Sequence, residues 1–129
     1  VRCRYYPSSR TRPYYTFVPA RCADGLRSSN RYLNPEFLFD DAAVQPYVHD
    51  CIIHVQEGET THTFVVFYKR HVRLSINRAI SSPIRGDVII ARVGSRNKGC
   101  VVNMRGRDAA VSDWVVARLV SRYCRRTMH

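Results

Sequence analysis

The stretch VHDCIIHVQEGETTHTFVVFYKR, residues 48–70, decides the fold. It contains two runs rich in β-branched and aromatic residues, VHDCIIHVQ and THTFVVFYKR, on either side of the short glycine-containing segment EGET. This pattern predicts a β-hairpin. In the second run Phe64 and Tyr68 fall on one face of the strand, and Val65 and Phe67 fall on the other. Because both faces are apolar, we expect this strand in the centre of a sheet that is covered on both sides.

A second hairpin is predicted further along the chain. The segments GDVIIARV (86–93) and GCVVNMR (99–105) have strand composition, and they flank the loop GSRNKG. Glycine at both ends of this loop favours a turn, with Arg96 and Lys98 at its tip.

The segment RDAAVSDWVVARLVSRYCRR switches to helical periodicity and predicts a helix over 108–126, with Asp108 or Ser112 as its N-cap. Arg118, Arg122 and Arg125 recur on one side of this helix as a basic stripe. Its wide apolar face comprises Val111, Trp114, Val115, Val116, Leu119, Val120 and Tyr123.

These elements predict one α+β domain over residues 1–129, with a small antiparallel sheet or open barrel and a C-terminal helix. The sheet is expected within 47–105. Residues 1–46 are rich in Arg, Pro and Tyr, and they predict a largely irregular arm whose best strand is YYTFV, residues 14–18.

The charge of the chain is large and unevenly distributed. The net charge is +11, and 19 of the 21 basic residues are Arg. Residues 37–60 carry five acidic and no basic residues, whereas 61–129 carry 14 basic and three acidic residues. Such segregation predicts an oriented molecule with a basic face, and Arg in particular suits phosphate and stacked rings.

The five cysteines are odd in number and widely spread, which indicates reduced thiols in a nuclear or cytoplasmic protein, although one bridge, such as Cys3 to Cys22, stays open. No apolar run has the length of a membrane span.

The N-terminal stretch RYYPSSRTRPYY, residues 4–15, interleaves arginines with tyrosine pairs. Tyr rings offer stacking platforms and Arg offers phosphate contacts, a combination found in proteins that bind single strands. The alternative is a strand with one Tyr packed inward and solvated Arg side chains. A second basic set joins the predicted hairpin tip to the helix stripe, and it would position phosphate groups where its members share one surface. Its members are Arg92, Arg96, Lys98, Arg105, Arg107, Arg118 and Arg122.

Residues with metal or acid–base chemistry also occur in the central hairpin. Cys51 and His54 have a plausible local spacing for zinc, with His62 nearby, but on a strand Cys51 and His54 point to opposite faces. We therefore predict no metal site and no cofactor.

An acid–base arrangement is the other alternative in this region. His49 in YVHD, Glu57 or Glu59, His71 and Arg73 are the residue types that a small basic ribonuclease uses. The Tyr-x-His element is similar to one in small fungal ribonucleases, although the spacing to the Glu is short and the disulfide pattern is absent.

Two further resemblances concern the second half of the chain. RGDVIIARVGSRNKGCVVNM is loosely similar to hairpins of OB-like barrels, in which oligonucleotides lie across the strands. HTFVVFYKRH, SPIRGDVIIARVG and VVNMRGRDAAVSDWVVARLV resemble segments of uncharacterised domains in mushroom-forming fungi, over residues 61–120. That resemblance implies a eukaryotic source and no function.

The sequence thus favours a non-enzymatic, nucleic-acid-binding domain for DNA or RNA. The residues predicted to bind are Arg10, Arg12, Tyr14, Tyr15, Arg96, Lys98, Arg105, Arg107, Arg118 and Arg122, with Tyr5 and Tyr6 as further stacking candidates. The first alternative is a protein-interaction or self-assembly module, with an acidic protein or a second copy as partner, in which segment 37–60 meets a basic face. The second is the ribonuclease-like enzyme. No membrane partner is expected.

Overall fold

The computed structural model describes residues 1–22, 31–33, 38, 48–69, 74–80, 85–94 and 100–120. The strands are β1 (Arg2–Tyr6), β2 (Tyr14–Phe17), β3 (Ala20–Cys22), β4 (Arg31–Leu33), β5 (Val48–Glu57), β6 (Thr60–Lys69), β7 (Val88–Val93) and β8 (Val101–Val102). Helix α1 (Gly106–Val115) follows and continues as a π-helical turn over Val116–Val120. The predicted α+β class, with an antiparallel sheet and a C-terminal helix, is confirmed, and strand is the dominant element.

Six strands form one antiparallel sheet in the order β2-β1-β7-β6-β5, and β8 pairs with the end of β7 beyond β1. Strands β5 and β6 are joined through ten consecutive residue pairs, and Gly58 in their turn has a φ of 61° that glycine adopts without strain. Both predicted hairpins are present, and β6 lies inside the sheet as expected. Strands β3 and β4 form a separate two-stranded ribbon.

The sheet is covered on both faces, which explains the unbroken apolar run in β6. On one face Phe64, Val66 and Tyr68 pack in a buried cluster with Val115 and Val116 of the C-terminal helical segment. On the other face a second buried cluster contains Val65 and Phe67, together with Val18 and Leu38 from outside the sheet.

The prediction of a largely irregular N-terminal arm is wrong for the described part of that segment. Strand β1 lies between β2 and β7, and its Cys3 and Tyr6 side chains are buried. In RCRYY the alternation of arginine with apolar residues extends over only four residues, so it is a weak strand signal. Its strand partner, β7, lies more than eighty residues away along the chain.

The helix begins two residues earlier than predicted. Gly106 is its first residue, and Asp108, at its third position, accepts a 2.7 Å hydrogen bond from the main-chain N–H of Arg105. Trp114 was expected on the apolar face, but it is 43% exposed, while the polar Ser112 is buried. Residues 121–126 of the predicted helix lie outside the described residues. None of the described helices is long and apolar enough to cross a membrane.

Asn77 joins the end of β1 to the segment that precedes β7, at one end of the sheet. Its buried side-chain amide donates to the carbonyl oxygens of Tyr6 and Gly86, at 2.8 Å each, and its oxygen accepts from the N–H of Ala79. This end of the sheet holds the start of β7. The last residues of β7 lie at the other end, where the polar groove described below opens.

Cys3 makes the stability of the fold sensitive to alkaline pH. It is a thiol, and burial raises its pKa from 9.0 to about 12. The unfolded chain therefore loses this proton at a lower pH than the folded chain does, so stability falls as pH rises through 9. We expect the ionisation of Cys3 in the unfolded chain to lower the free energy of unfolding by about 1.4 kcal/mol between about pH 8 and pH 10.

Urea denaturation of the wild type and of Cys3→Ala over this pH range measures that contribution. The variant should lose less stability per pH unit than the wild type, whatever its absolute stability. The variant keeps a residual slope because burial, followed by the hydrogen bond to Asp113, also raises the pKa of Tyr6. Identical slopes for the two proteins would show that Cys3 is not the group responsible.

Candidate functional site

An open groove of about 1100 Å³ lies at the end of the sheet where β7 meets β8 and α1 begins. Its lining combines basic and neutral hydrogen-bonding side chains with a few apolar ones. The lining residues are Ile52, His54, Thr61, His62, Thr63, Arg92, Val93, Gly94, Val102, Asn103, Arg105, Arg107 and Asp108.

Arg92, the penultimate residue of β7, is fixed in this groove by two polar contacts. Its Nη1 donates to Asp108 Oδ1 at 2.6 Å and to His62 Nδ1 at 3.0 Å. Since Nδ1 of His62 accepts, the proton of the neutral ring is on Nε2, which lies 3.4 Å from a Glu57 carboxylate oxygen. The guanidinium also lies 6.0 Å from the centre of the Phe64 ring. Arg92 is therefore a fixed positive group in the lining.

Asp108 joins this network to the start of α1. It is only 4% exposed, and its two carboxylate oxygens serve Arg92 and the main-chain N–H of Arg105. The charge of Asp108 offsets that of Arg92. The side chains of Arg105 and Arg107 are exposed at the groove, and neither forms a salt bridge with an acidic residue among those that the structure describes.

The segment 103–105 continues the groove towards β1 and β2. Asn103 Oδ1 accepts from the N–H of Arg2 at 2.7 Å, and the Arg2 Nε donates to the Met104 carbonyl at 2.7 Å. The hydroxyl of Tyr15 donates to the Arg105 carbonyl at 2.9 Å. These bonds place Tyr15, a predicted site residue, beside the basic groove.

Two guanidinium groups lie over the ring of Tyr15. The Arg2 and Arg4 Cζ atoms lie 4.6 and 5.1 Å from its centroid. Arg4 is also held by two hydrogen bonds to the carboxylate of Asp113, at 3.1 and 3.2 Å. Phe17, two residues beyond Tyr15 and therefore on the same face of β2, is 77% exposed. An exposed aromatic ring thus lies next to a fixed, positively charged stack.

The other predicted tyrosines do not join this surface. Tyr14 is on the opposite face of β2, where its ring lies 5.3 Å from that of Tyr5. The Tyr5 hydroxyl donates to Asp87. Tyr6 is fully buried and bonded to Ser112 and Asp113, so its prediction as a stacking residue is wrong.

The predicted arginines are also separated. Arg10 and Arg12 are exposed in the loop before β2, at the end of β1 away from the groove, and Arg10 lies 5.8 Å from the Tyr14 ring. Arg118 lies over Trp114, at 5.4 Å, beyond the end of α1. Of the predicted set, the structure therefore brings Tyr15, Arg105 and Arg107 together. Arg96, Lys98 and Arg122 lie outside the described residues.

The predicted ribonuclease-like pair is not assembled. His49 and Glu57 are at opposite ends of β5, about 26 Å apart at the usual rise of a strand. His49 stacks on Tyr68, whereas Glu57 meets His62. His71 and Arg73 lie outside the described residues. One phosphate cannot contact both His49 and Glu57, so this prediction is wrong for that pair.

Among the described residues, no group of three or more His, Cys, Asp or Glu side chains could hold a metal ion. Cys51 packs against the α1-side core, while His54 is exposed and bonds Thr63. The two residues point to opposite faces of the sheet, as expected from their spacing.

Sequence reasoning missed Arg2, Phe17 and Asn103 as members of this surface. The alternation of Arg2 and Arg4 in β1, and of Tyr15 and Phe17 in β2, was the available signal, since residues two apart on a strand share a face. Only the pairing of β1 with β2 joins the two alternating sets.

No protein-family model, curated protein or solved structure matches the chain.

Proposed function

We propose that this chain is a non-catalytic nucleic-acid-binding domain that takes single-stranded RNA or DNA in the basic groove and along β2. The observation that carries the proposal is the continuity between the groove and the exposed ring of Phe17 through Tyr15 and segment 103–105. Single-strand binders combine a basic channel for the backbone with aromatic platforms for the bases. Both parts are present on one surface here.

Phosphate contacts would come chiefly from Arg105 and Arg107. Both are exposed, and the hydrogen bonds of Arg105 to Asp108 and Tyr15 use its main-chain atoms and not its guanidinium. Neutral side chains of the lining, Thr61, Thr63 and Asn103, add hydrogen-bonding capacity for sugar and phosphate oxygens.

Base stacking would use Phe17, with the guanidinium of Arg2 beside it. The ring of Tyr15 is already covered by Arg2 and Arg4, so it would position these two guanidinium groups and would not stack on a base.

Anisotropy of labelled single-stranded RNA, single-stranded DNA and duplex DNA, titrated with protein, tests this function. We expect micromolar or tighter binding of a single strand at about 50 mM salt, falling by orders of magnitude by about 200 mM. Phe17→Ala should weaken binding about tenfold, because base–aromatic stacking contributes about 1–3 kcal/mol.

The matched control is Ile76→Ala, which removes another exposed apolar side chain from a distant loop and should leave affinity unchanged. No binding at the lower salt would contradict the proposed function. Equal losses in Phe17→Ala and Ile76→Ala would contradict the stacking role.

A further inference from the structure

Strand β5 is a long, regular edge of the sheet. It contributes ten residues, pairs with β6 without a bulge, and has no strand on its outer side among the described residues. It contains no Pro, Lys or Arg, the residues with which proteins commonly protect an edge against pairing. The outer edge of β5 can therefore accept another strand.

The other edge of the sheet is different. Strand β2 contributes only four residues, Tyr14–Phe17, and lies between Pro13 and Pro19. Short length and flanking proline are protective features. The contrast singles out β5 as the edge suited to pairing.

The exposed side chains of β5 match those of a second, antiparallel copy of the same strand. Asp50, Ile52 and His54 alternate along the strand, so they share a face, and all three are exposed. When two antiparallel β5 strands meet with Ile52 opposite Ile52, each Asp50 lies opposite the His54 of the other copy. The other face then pairs Cys51 with Ile53.

This register is favoured over its neighbours. Centring the pair on Ile53 would place Ile52 opposite His54 and Asp50 opposite Gln56, which loses both the apolar pair and the acid–His pairs. Opposite charges and apolar residues directly across a strand pair stabilise it, while mismatched pairs do not.

We propose that β5 is the self-association edge of this protein, and that two copies pair through it antiparallel about Ile52 to form one continuous sheet. Main-chain hydrogen bonds supply the affinity and the Asp50–Ile52–His54 face supplies the register. The contact is symmetric, unlike the head-to-tail meeting of acidic and basic faces predicted from charge, so it closes at a dimer. Since Ile52 and His54 also line the groove, the two grooves of a dimer would lie beside the same junction.

Sedimentation equilibrium in the absence of nucleic acid tests the proposal independently of the proposed function. The wild type should show twice the mass of one chain at about 100 μM, above the dissociation constants of most specific interfaces. Ile52→Lys should be monomeric, because it places two like charges at the centre. Ile76→Lys is the matched control: Ile76 is also 53% exposed but lies away from β5, and the variant should stay dimeric.

Exchange of the Asp50–His54 pair provides a second test. Asp50→Lys should dissociate the dimer, and adding His54→Glu should restore it with the polarity reversed. A wild type that is monomeric at all concentrations would overturn the proposal. So would a dimer that persists in Ile52→Lys, or a double variant that stays monomeric.

Discussion

Replacing Arg105 and Arg107 together by glutamate is expected to lower the affinity for single-stranded RNA about 100-fold at low salt. Both side chains are exposed in the groove lining, and no described acidic group pairs with either. The reversal turns two attractive contacts with phosphate into repulsive ones. It should also make the dependence of log affinity on log salt shallower by about 1.4, since each lost contact with a single strand contributes about 0.7.

The helix should survive this substitution. The bond from Arg105 to Asp108 and the bond that it accepts from Tyr15 both use the main chain, which glutamate retains. Arg78→Glu with Arg85→Glu changes the net charge equally near Asn77, at the end of the sheet opposite the groove. This control should lose far less affinity and keep the steeper salt dependence. Equal losses in the two double variants would mean that binding follows net charge and not the groove.

Asp108→Ala is expected to destabilise the fold by about 3–5 kcal/mol, the usual cost of removing one partner of a buried ion pair. The carboxylate of Asp108 is almost fully buried, and its removal leaves Arg92 with an uncompensated charge in the lining. It also removes the acceptor for the N–H of Arg105 at the start of α1. Both losses act on the same junction between the sheet and the helix.

Urea denaturation of Asp108→Ala and Asp108→Asn measures this effect. The asparagine variant should fall between the wild type and Asp108→Ala, because its amide oxygen still accepts one hydrogen bond. Glu59→Ala removes an exposed carboxylate from the β5–β6 turn and should change stability by less than about 0.5 kcal/mol. A loss below about 1 kcal/mol in Asp108→Ala would show that this carboxylate does not hold α1 to the sheet.

The parts of the fold that were predictable are those whose signal is local. The apolar run of β6 and the Gly58 turn specify a covered hairpin within a single stretch of chain. The apolar periodicity after residue 106 likewise specifies helix α1 within its own segment. Strand β1 has only a short alternation of arginine with apolar residues as its local signal. Two of its five residues are Arg, and its position depends on β7, which the sequence alone does not bring to it.

The candidate site was less predictable because it is assembled from remote segments. The contact of Arg92 with His62 and Asp108 joins β6, β7 and α1, and the bond from Tyr15 to Arg105 joins residues ninety positions apart. The tyrosine pairs show that composition alone does not predict which side chains share a surface. Adjacent residues on a strand point to opposite faces, so a Tyr-Tyr pair cannot form one platform.

Mapping of bound single-stranded RNA on the ¹⁵N-labelled protein by NMR tests the central claim most directly, because it locates the ligand. We expect the largest changes in amide chemical shift at Phe17, Asn103, Arg105 and Arg107, and little change around Asn77. Binding that perturbs the Asn77 end or the outer edge of β5, and leaves those four amides unchanged, would contradict the account.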